Sequence, residues 1–215
     1  MYVPPSFAEP DVVVMHGFIE AHPLGALVTS SQEGLFATHL PLVLDRSRGG
    51  RGVLEGHVAR ANPHHERVED GTEALVIFTG ADAYVSPSLY PSKQRHGKVV
   101  PTWNYVAVHA HGHIRLFREH DRLRAHLERL TARHEALQPR PWSLDDTPAG
   151  YVDALLGAIV GIEIEIEHLD GKWKMSQNRP PEDVEGVIRG LGASPDPAVR
   201  EVGTIVEQRR PDRTG

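Results

Sequence analysis

Cysteine is absent from this chain of 215 residues, which removes disulfides, thiolate metal ligands and cysteine nucleophiles from consideration. Any metal would need histidine or carboxylate ligands. Long apolar runs are absent too: none approaches the ~20 residues a membrane-spanning helix needs. The start, Met1-Tyr2-Val3-Pro4-Pro5, has turn chemistry in place of a charged-then-apolar export signal. These absences predict a cytoplasmic protein with no membrane partner. Positive charge is in deficit, with 23 Lys and Arg against 29 Asp and Glu and a formal net charge of −6. That balance argues against a broadly basic nucleic-acid-binding surface. The basic residues group locally at Arg46, Arg48 and Arg51, at Lys93, Arg95 and Lys98, and at Arg209, Arg210 and Arg213, a pattern usual for solvated loops. No helix-turn-helix with a basic recognition helix, no dinucleotide fingerprint, no P-loop and no Gly-x-Ser-x-Gly elbow is present. Serine hydrolase chemistry and nucleotide binding by those routes drop out.

What is present has ordinary globular proportions, 40% hydrophobic and 24% charged. At about 100–200 residues per domain, the length predicts one domain with an appendage, or two small ones. Apolar positions at helical spacing predict a helix from Asp11 to His22, ended by Pro23 and Gly25. Strands follow over 24–29 and 35–44, joined by a turn as a hairpin, then over 53–58 and 74–79. Asn62-Pro63 signals the start of a short helix running to about Glu69, with Asn as cap and Pro in the first turn. A long strand over 105–117 places Val106, Val108 and Ala110 on one face and His109, His111 and His113 on the other. A helix is expected over 121–136 and a shorter one over 148–156. Ile162 to Glu167 alternates with period 2, and Asp170-Gly171 predicts a hairpin turn with a return strand over 172–176. Two helices, from Pro180-Pro181 and from Pro197, close the chain. Six or seven strands joined mostly by short turns predict an antiparallel barrel of α+β class, mainly β, with peripheral helices.

The most informative stretch is Asp82 to His113. It collects hydroxyls, aromatics, a Lys, an Asn and three alternating histidines where a core strand would be aliphatic. That is the composition of a lined pocket, since flat heteroaromatic cofactors are held by ring faces and a few convergent polar groups. Trp103-Asn104-Tyr105 is either a set of core aromatics or a ligand wall, and Asn104 between them needs a polar partner if buried. The histidines line a pocket, bind a metal or face solvent. Asn62-Pro63, with Arg60 two residues ahead, is either a capped surface helix or a phosphate site, because a helix N-terminus offers unpaired N–H groups.

Together these residues resemble the PaiB family of FMN-binding split-barrel proteins, described as negative transcriptional regulators. The resemblance rests on Met1-Tyr2-Val3-Pro4 with Phe7, His22-Pro23-Leu24, Ala37-Thr38-His39-Leu40-Pro41, the stretch Gly56 to Pro63, Tyr84-Val85-Ser86-Pro87-Ser88, Val100 to Tyr105 and Lys172 to Asn178. It implies an antiparallel, Greek-key split barrel over 1–178, with a C-terminal helical extension over 179–215 packing on the barrel or on a partner. It also implies a homodimer with FMN at the subunit interface. By the same resemblance Arg60 and Asn62 are the phosphate end, Thr38, His39, Thr102, Trp103 and Asn104 the ring region, and Lys174, Ser176 and Gln177 further contacts. Two departures stand out: His65 where the family commonly has an aromatic, and Leu89 where it commonly has Trp. A histidine there makes His65 an alternative ligand for haem b, as in related haem-binding split barrels that include N–N bond-forming piperazate synthases. A regulatory role would act on DNA or through a protein partner. No residue nominates a reaction, so enzyme, sensor and regulator remain open.

Overall fold

Most of the strands and helices expected from the sequence appear in the expected order in a computed structural model, which describes residues 1–148 and 150–210. Arg213 of the third basic group lies outside the described residues. The elements are β1 (Ala8–Glu9), α1 (Val12–Ala21), β2 (Leu24–Ser31), β3 (Gly34–Pro41), β4 (Val43–Asp45), β5 (Val53–Ala59), β6 (Glu73–Val85), α2 (Ser92–His96), β7 (Thr102–Phe117), α3 (His120–Glu135), α4 (Tyr151–Leu156), β8 (Ile159–Lys174), α5 (Pro181–Gly192) and α6 (Pro197–Gln208). The strand order is β3-β2-β6-β7-β8-β5-β4, with β1 added on β8.

Three expectations change. The strand predicted over 35–44 breaks at Leu42, whose N–H leaves the ladder to donate to Pro23 O at 2.9 Å. The helix predicted from Pro63 is a single 3₁₀ turn, Pro63–Glu66. Asp170-Gly171 makes no turn: β8 runs straight through it, because β1 supplies a ladder partner there, pairing Ala8 with Lys172 and Glu9 with Gly171.

Contacts divide the chain into two compact units. The first comprises Met1–Asp11, Thr79–Val108 and Asp170–Gly215; the second comprises Val12–Phe78 and His109–Leu169. In the first unit, α5 seats on the 3₁₀ turn Pro87–Leu89, where a Cβ on Gly186 would come within 2.0 Å of Leu89 O. Only glycine permits that approach. Buried Asp183 then accepts from Ser92 N at 3.0 Å and Ser92 Oγ at 2.7 Å. The Arg209 guanidinium pairs with Glu9 and lies over the Trp173 ring, tying the end of α6 into the same unit.

In the second unit the ladders β2–β3, β2–β6, β4–β5 and β5–β8 are all antiparallel. Leu27, Leu54, Val76, Phe78, Ile162 and Ile164 are buried among them. A satellite core of Phe117, Leu123, Leu144, Val152 and Leu156 holds α3 and α4. Gly161 makes room for it, since a Cβ there would fall 2.3 Å from the Phe117 ring.

Candidate functional site

Each unit carries a polar cluster of its own. In the second unit, β2 and β3 pair Leu27 with Thr38 and Thr29 with Phe36. Thr29 and Thr38 therefore share one face as diagonal neighbours, a separation of about 7–8 Å that a ring can bridge. His64 bridges it. Asn62 caps the 3₁₀ turn by accepting His64 N at 2.9 Å, which swings the His64 ring inward until it is fully buried. Its Nε2 lies 3.0 Å from Thr29 Oγ1 and its Nδ1 2.8 Å from Thr38 Oγ1. With its oxygen fixed by a backbone donor, Asn62 must turn Nδ2 outward, and it donates to the same Thr38 oxygen at 3.3 Å. Burial, reinforced by the Arg67 charge, holds the His64 imidazole below its ordinary value.

Arg60 is exposed, donating from its backbone N to Ala158 O at 2.7 Å and from Nε to Gly157 O at 2.8 Å. His65 is only 8% exposed, and its Nε2 sits 2.9 Å from Arg60 O. A carbonyl can only accept, so Nε2 carries the proton and Nδ1 of the neutral ring is a bare lone pair. That Nδ1 is buried without a hydrogen-bond partner. His39 does not join the cluster: as the neighbour of Thr38 on a strand it points to the opposite face.

In the first unit, Lys174 Nζ donates to Thr102 Oγ1 at 2.6 Å. The ammonium groups of Lys172 and Lys174 stand 5.1 and 5.9 Å from the centre of the Tyr105 ring. Burial lowers the Lys174 pKa, opposed by Tyr105 and helped by Lys172 and Arg179. Trp103 and Tyr84 are 53% and 51% exposed and meet edge to face at 6.1 Å, an open aromatic surface beside Thr102.

Asn104, Ser176 and Gln177 serve the fold in this arrangement. Asn104 and Ser176 exchange hydrogen bonds at 3.0 and 3.2 Å, both buried. Gln177 folds onto its own backbone, accepting from Met175 N at 2.7 Å and donating to Trp173 O at 2.6 Å. Together they hold the bend after β8, where Ser176 has φ 65°, the one non-glycine residue with positive φ among the described residues. The structure thus joins Thr38 with Asn62, Arg60 with His65, Thr102 with Lys174, and Asn104 with Ser176. Sequence reasoning passed over His64 in favour of its neighbour, and Tyr84 and Tyr105 in favour of Trp103. The available signal for His64 was the pair of inward threonines on one hairpin.

The histidine face of β7 is looser. His109 and His111 lie 6.3 Å apart and His111 and His168 5.7 Å apart between ring centres, while His113 pairs with Glu167 at 2.9 Å. Among the described residues, no group of three or more His, Asp or Glu side chains could hold a metal ion.

An eight-stranded antiparallel sheet with peripheral helices and this strand order is the split-barrel architecture of flavin-binding proteins. The FAD and haem binding protein of Mycobacterium smegmatis shares the fold with a TM-score of 0.55 at 15% identity, over 90% of this chain and 96% of that one. Residues 1–168 match the family described as "Putative FMN-binding domain", and the chain belongs to that family. An uncharacterised protein of Emericella nidulans is 34% identical over 97% of both chains. The protease synthase and sporulation protein PAI 2 of Bacillus subtilis is 31% identical over 97% of this chain and 98% of its own. The resemblance read from the motifs is therefore the true relationship.

Proposed function

We propose that the protein binds FMN, with Thr38, Asn62 and Arg60 of the second unit at its phosphate, and acts as a homodimeric flavin-dependent sensor or negative regulator of the PaiB type. The observation that carries the binding assignment is the buried chain from Thr29 through His64 to Thr38, which ends on a half-buried hydroxyl beside Asn62 and two residues from Arg60. A fully satisfied buried chain is rigid, and this one fixes the orientation of the half-buried hydroxyl at its outer end. Taken by itself, the first unit presents exposed Trp103 and Tyr84 beside the Thr102–Lys174 pair, an aromatic surface of the kind that takes a flat ring. A bound flavin supplies one- and two-electron redox chemistry; the residues named here bind and orient it. Exposed Leu24 and Leu35 on the β2–β3 hairpin support association with a second copy.

Titration with FMN and with riboflavin tests the assignment. Protein that binds FMN at least about tenfold more tightly than riboflavin supports a phosphate site; equal affinities, or no flavin bound, overturn it. The net charge of −6 weighs against direct contact with DNA, so regulation is assigned to flavin state or a protein partner. Specific DNA binding at physiological salt would reverse that assignment.

Haem is a second reading, favoured by the buried, bare Nδ1 of His65. A histidine whose other nitrogen donates to a carbonyl has the donor set of a metal ligand, although the ring must turn outward to offer it. No helix among the described residues is long and apolar enough to cross a membrane.

A further inference from the structure

We propose that His64 is a positioning residue held as the neutral Nδ1–H tautomer, and that this tautomer makes the Thr38 hydroxyl a hydrogen-bond donor to the anionic group of the ligand. The proposal rests on the assignment of Thr38 and Asn62 to the flavin phosphate and deepens it.

The argument is a count of protons. The Thr38 oxygen has two lone pairs and one hydrogen. Asn62 Nδ2 takes one lone pair. If His64 Nδ1 is protonated it takes the second, and the Thr38 hydrogen is left to point outward. If Nδ1 is bare, the Thr38 hydrogen is consumed by His64 and only a lone pair faces outward, which repels a phosphate oxygen. Thr29 decides between them. Its hydroxyl is buried, and His64 Nε2 is its hydrogen-bond partner among the described residues. With Nε2 bare, Thr29 donates to it and no buried donor is stranded. With Nε2 protonated, Thr29 must accept, and its own hydrogen is left in the interior with nothing to meet it. A stranded buried donor costs more than an under-used acceptor lone pair. The chain therefore runs Thr29 O–H to Nε2, Nδ1–H to Thr38, and Thr38 O–H to the ligand, moving the surplus donor from a sealed position to a half-buried one. Arg67, which lies over the Phe36 ring at 4.5 Å, also faces His64 and disfavours a second proton on it.

Nitrogen-15 NMR of histidine-labelled protein reads the tautomer directly, without flavin. A protonated-type Nδ1 and a bare-type Nε2 for His64 is the expected result; the reverse overturns the proposal. Affinity for FMN against riboflavin then tests the consequence. Thr38→Val is expected to weaken FMN about tenfold and leave riboflavin within about twofold. Equal effects on both ligands would overturn the phosphate assignment itself, and the proposal with it. A reversed tautomer with the Thr38→Val effect intact would sink only the role given to His64. His64→Asn, whose amide nitrogen reaches the place of Nδ1, should keep FMN within about threefold of the parent, whereas His64→Gln, which reaches Nε2, should lose about tenfold; equal losses would also overturn it.

Discussion

His64 and His126 are both fully buried imidazoles of the second unit, and they are partnered in opposite ways. Each nitrogen of His64 meets a threonine hydroxyl, one of which lies near the surface. His126 on α3 meets another histidine: its Nε2 lies 3.1 Å from His57 Nδ1, and its own Nδ1 is buried with no hydrogen-bond partner. Around it stand the Phe117 ring and an ion cluster whose carboxylates are buried and whose arginines reach solvent. Glu55 and Glu163 are directly opposed across β5 and β8, and Arg48, Arg122 and Arg129 neutralise them. Burial alone would push the Glu55 carboxyl up, but Arg129 and Arg48 outweigh it and hold it low. This cluster fastens α3 to the sheet. The difference lies in where the hydrogen bonds lead: the His64 chain ends on a half-buried hydroxyl, and the His126 pair closes on itself in the interior.

The sharpest way to separate the two is pH. Burial, with the charge of His57 adding to it, lowers the His126 pKa from 6.5 to about 4. The folded state then binds fewer protons than the unfolded one between those values. Stability is complete above pH 6.5 and falls as pH drops toward 4, by up to about 3 kcal/mol. Urea unfolding between pH 7 and 5, above the carboxylate range, should show this slope, and His126→Leu should reduce it, leaving the smaller part that comes from His64 and His57, whose pKa values burial also lowers. A parent protein whose stability is level across that range contradicts the reading of His126. Next in size is the ion cluster. Glu55→Ala leaves Arg48 and Arg129 without their shared carboxylate; because these side chains are 43% and 49% exposed and can be hydrated, the loss is about 2 kcal/mol, below the usual cost of breaking a sealed pair. FMN affinity should not follow it.

Gly161→Ala drives a methyl into the Phe117 ring and should cost about 1–2 kcal/mol by overpacking, read as a lower urea midpoint with unchanged slope. Comparable in stability is Thr38→Val, at about 1–2 kcal/mol, because it leaves the buried His64 Nδ1–H without its acceptor. It carries the largest effect on ligand binding, the expected tenfold loss of FMN affinity. A Thr38→Val protein that is strongly destabilised while binding FMN normally would put His64 in the same structural class as His126.

Much of the fold was legible. Period-2 alternation marked the start of β8, helical spacing marked α1 and α3, and Pro180-Pro181 and Pro197 marked the starts of α5 and α6. The errors share a cause. Asp170-Gly171 has the chemistry of a hairpin turn, but a strand distant in sequence offered Gly171 a ladder partner, and pairing outweighed local preference. Asn62-Pro63 predicted a cap, which is present, and a helix, which stops after one turn. The motif residues were recognised as a set, yet composition could not show that Asn104, Ser176 and Gln177 spend their hydrogen bonds on each other and on the backbone.

Residue order by itself determined the family, the mainly β class and the segments that carry polar chemistry, because those follow from motif, periodicity and turn residues along the chain. Tertiary structure alone decided which of two adjacent histidines turns inward to join Thr29 and Thr38, and which face of β3 holds Thr38 and excludes His39. Hydrogen bonds between residues 24 to 35 positions apart depend on strand register and on where one short turn docks, and no local pattern encodes either.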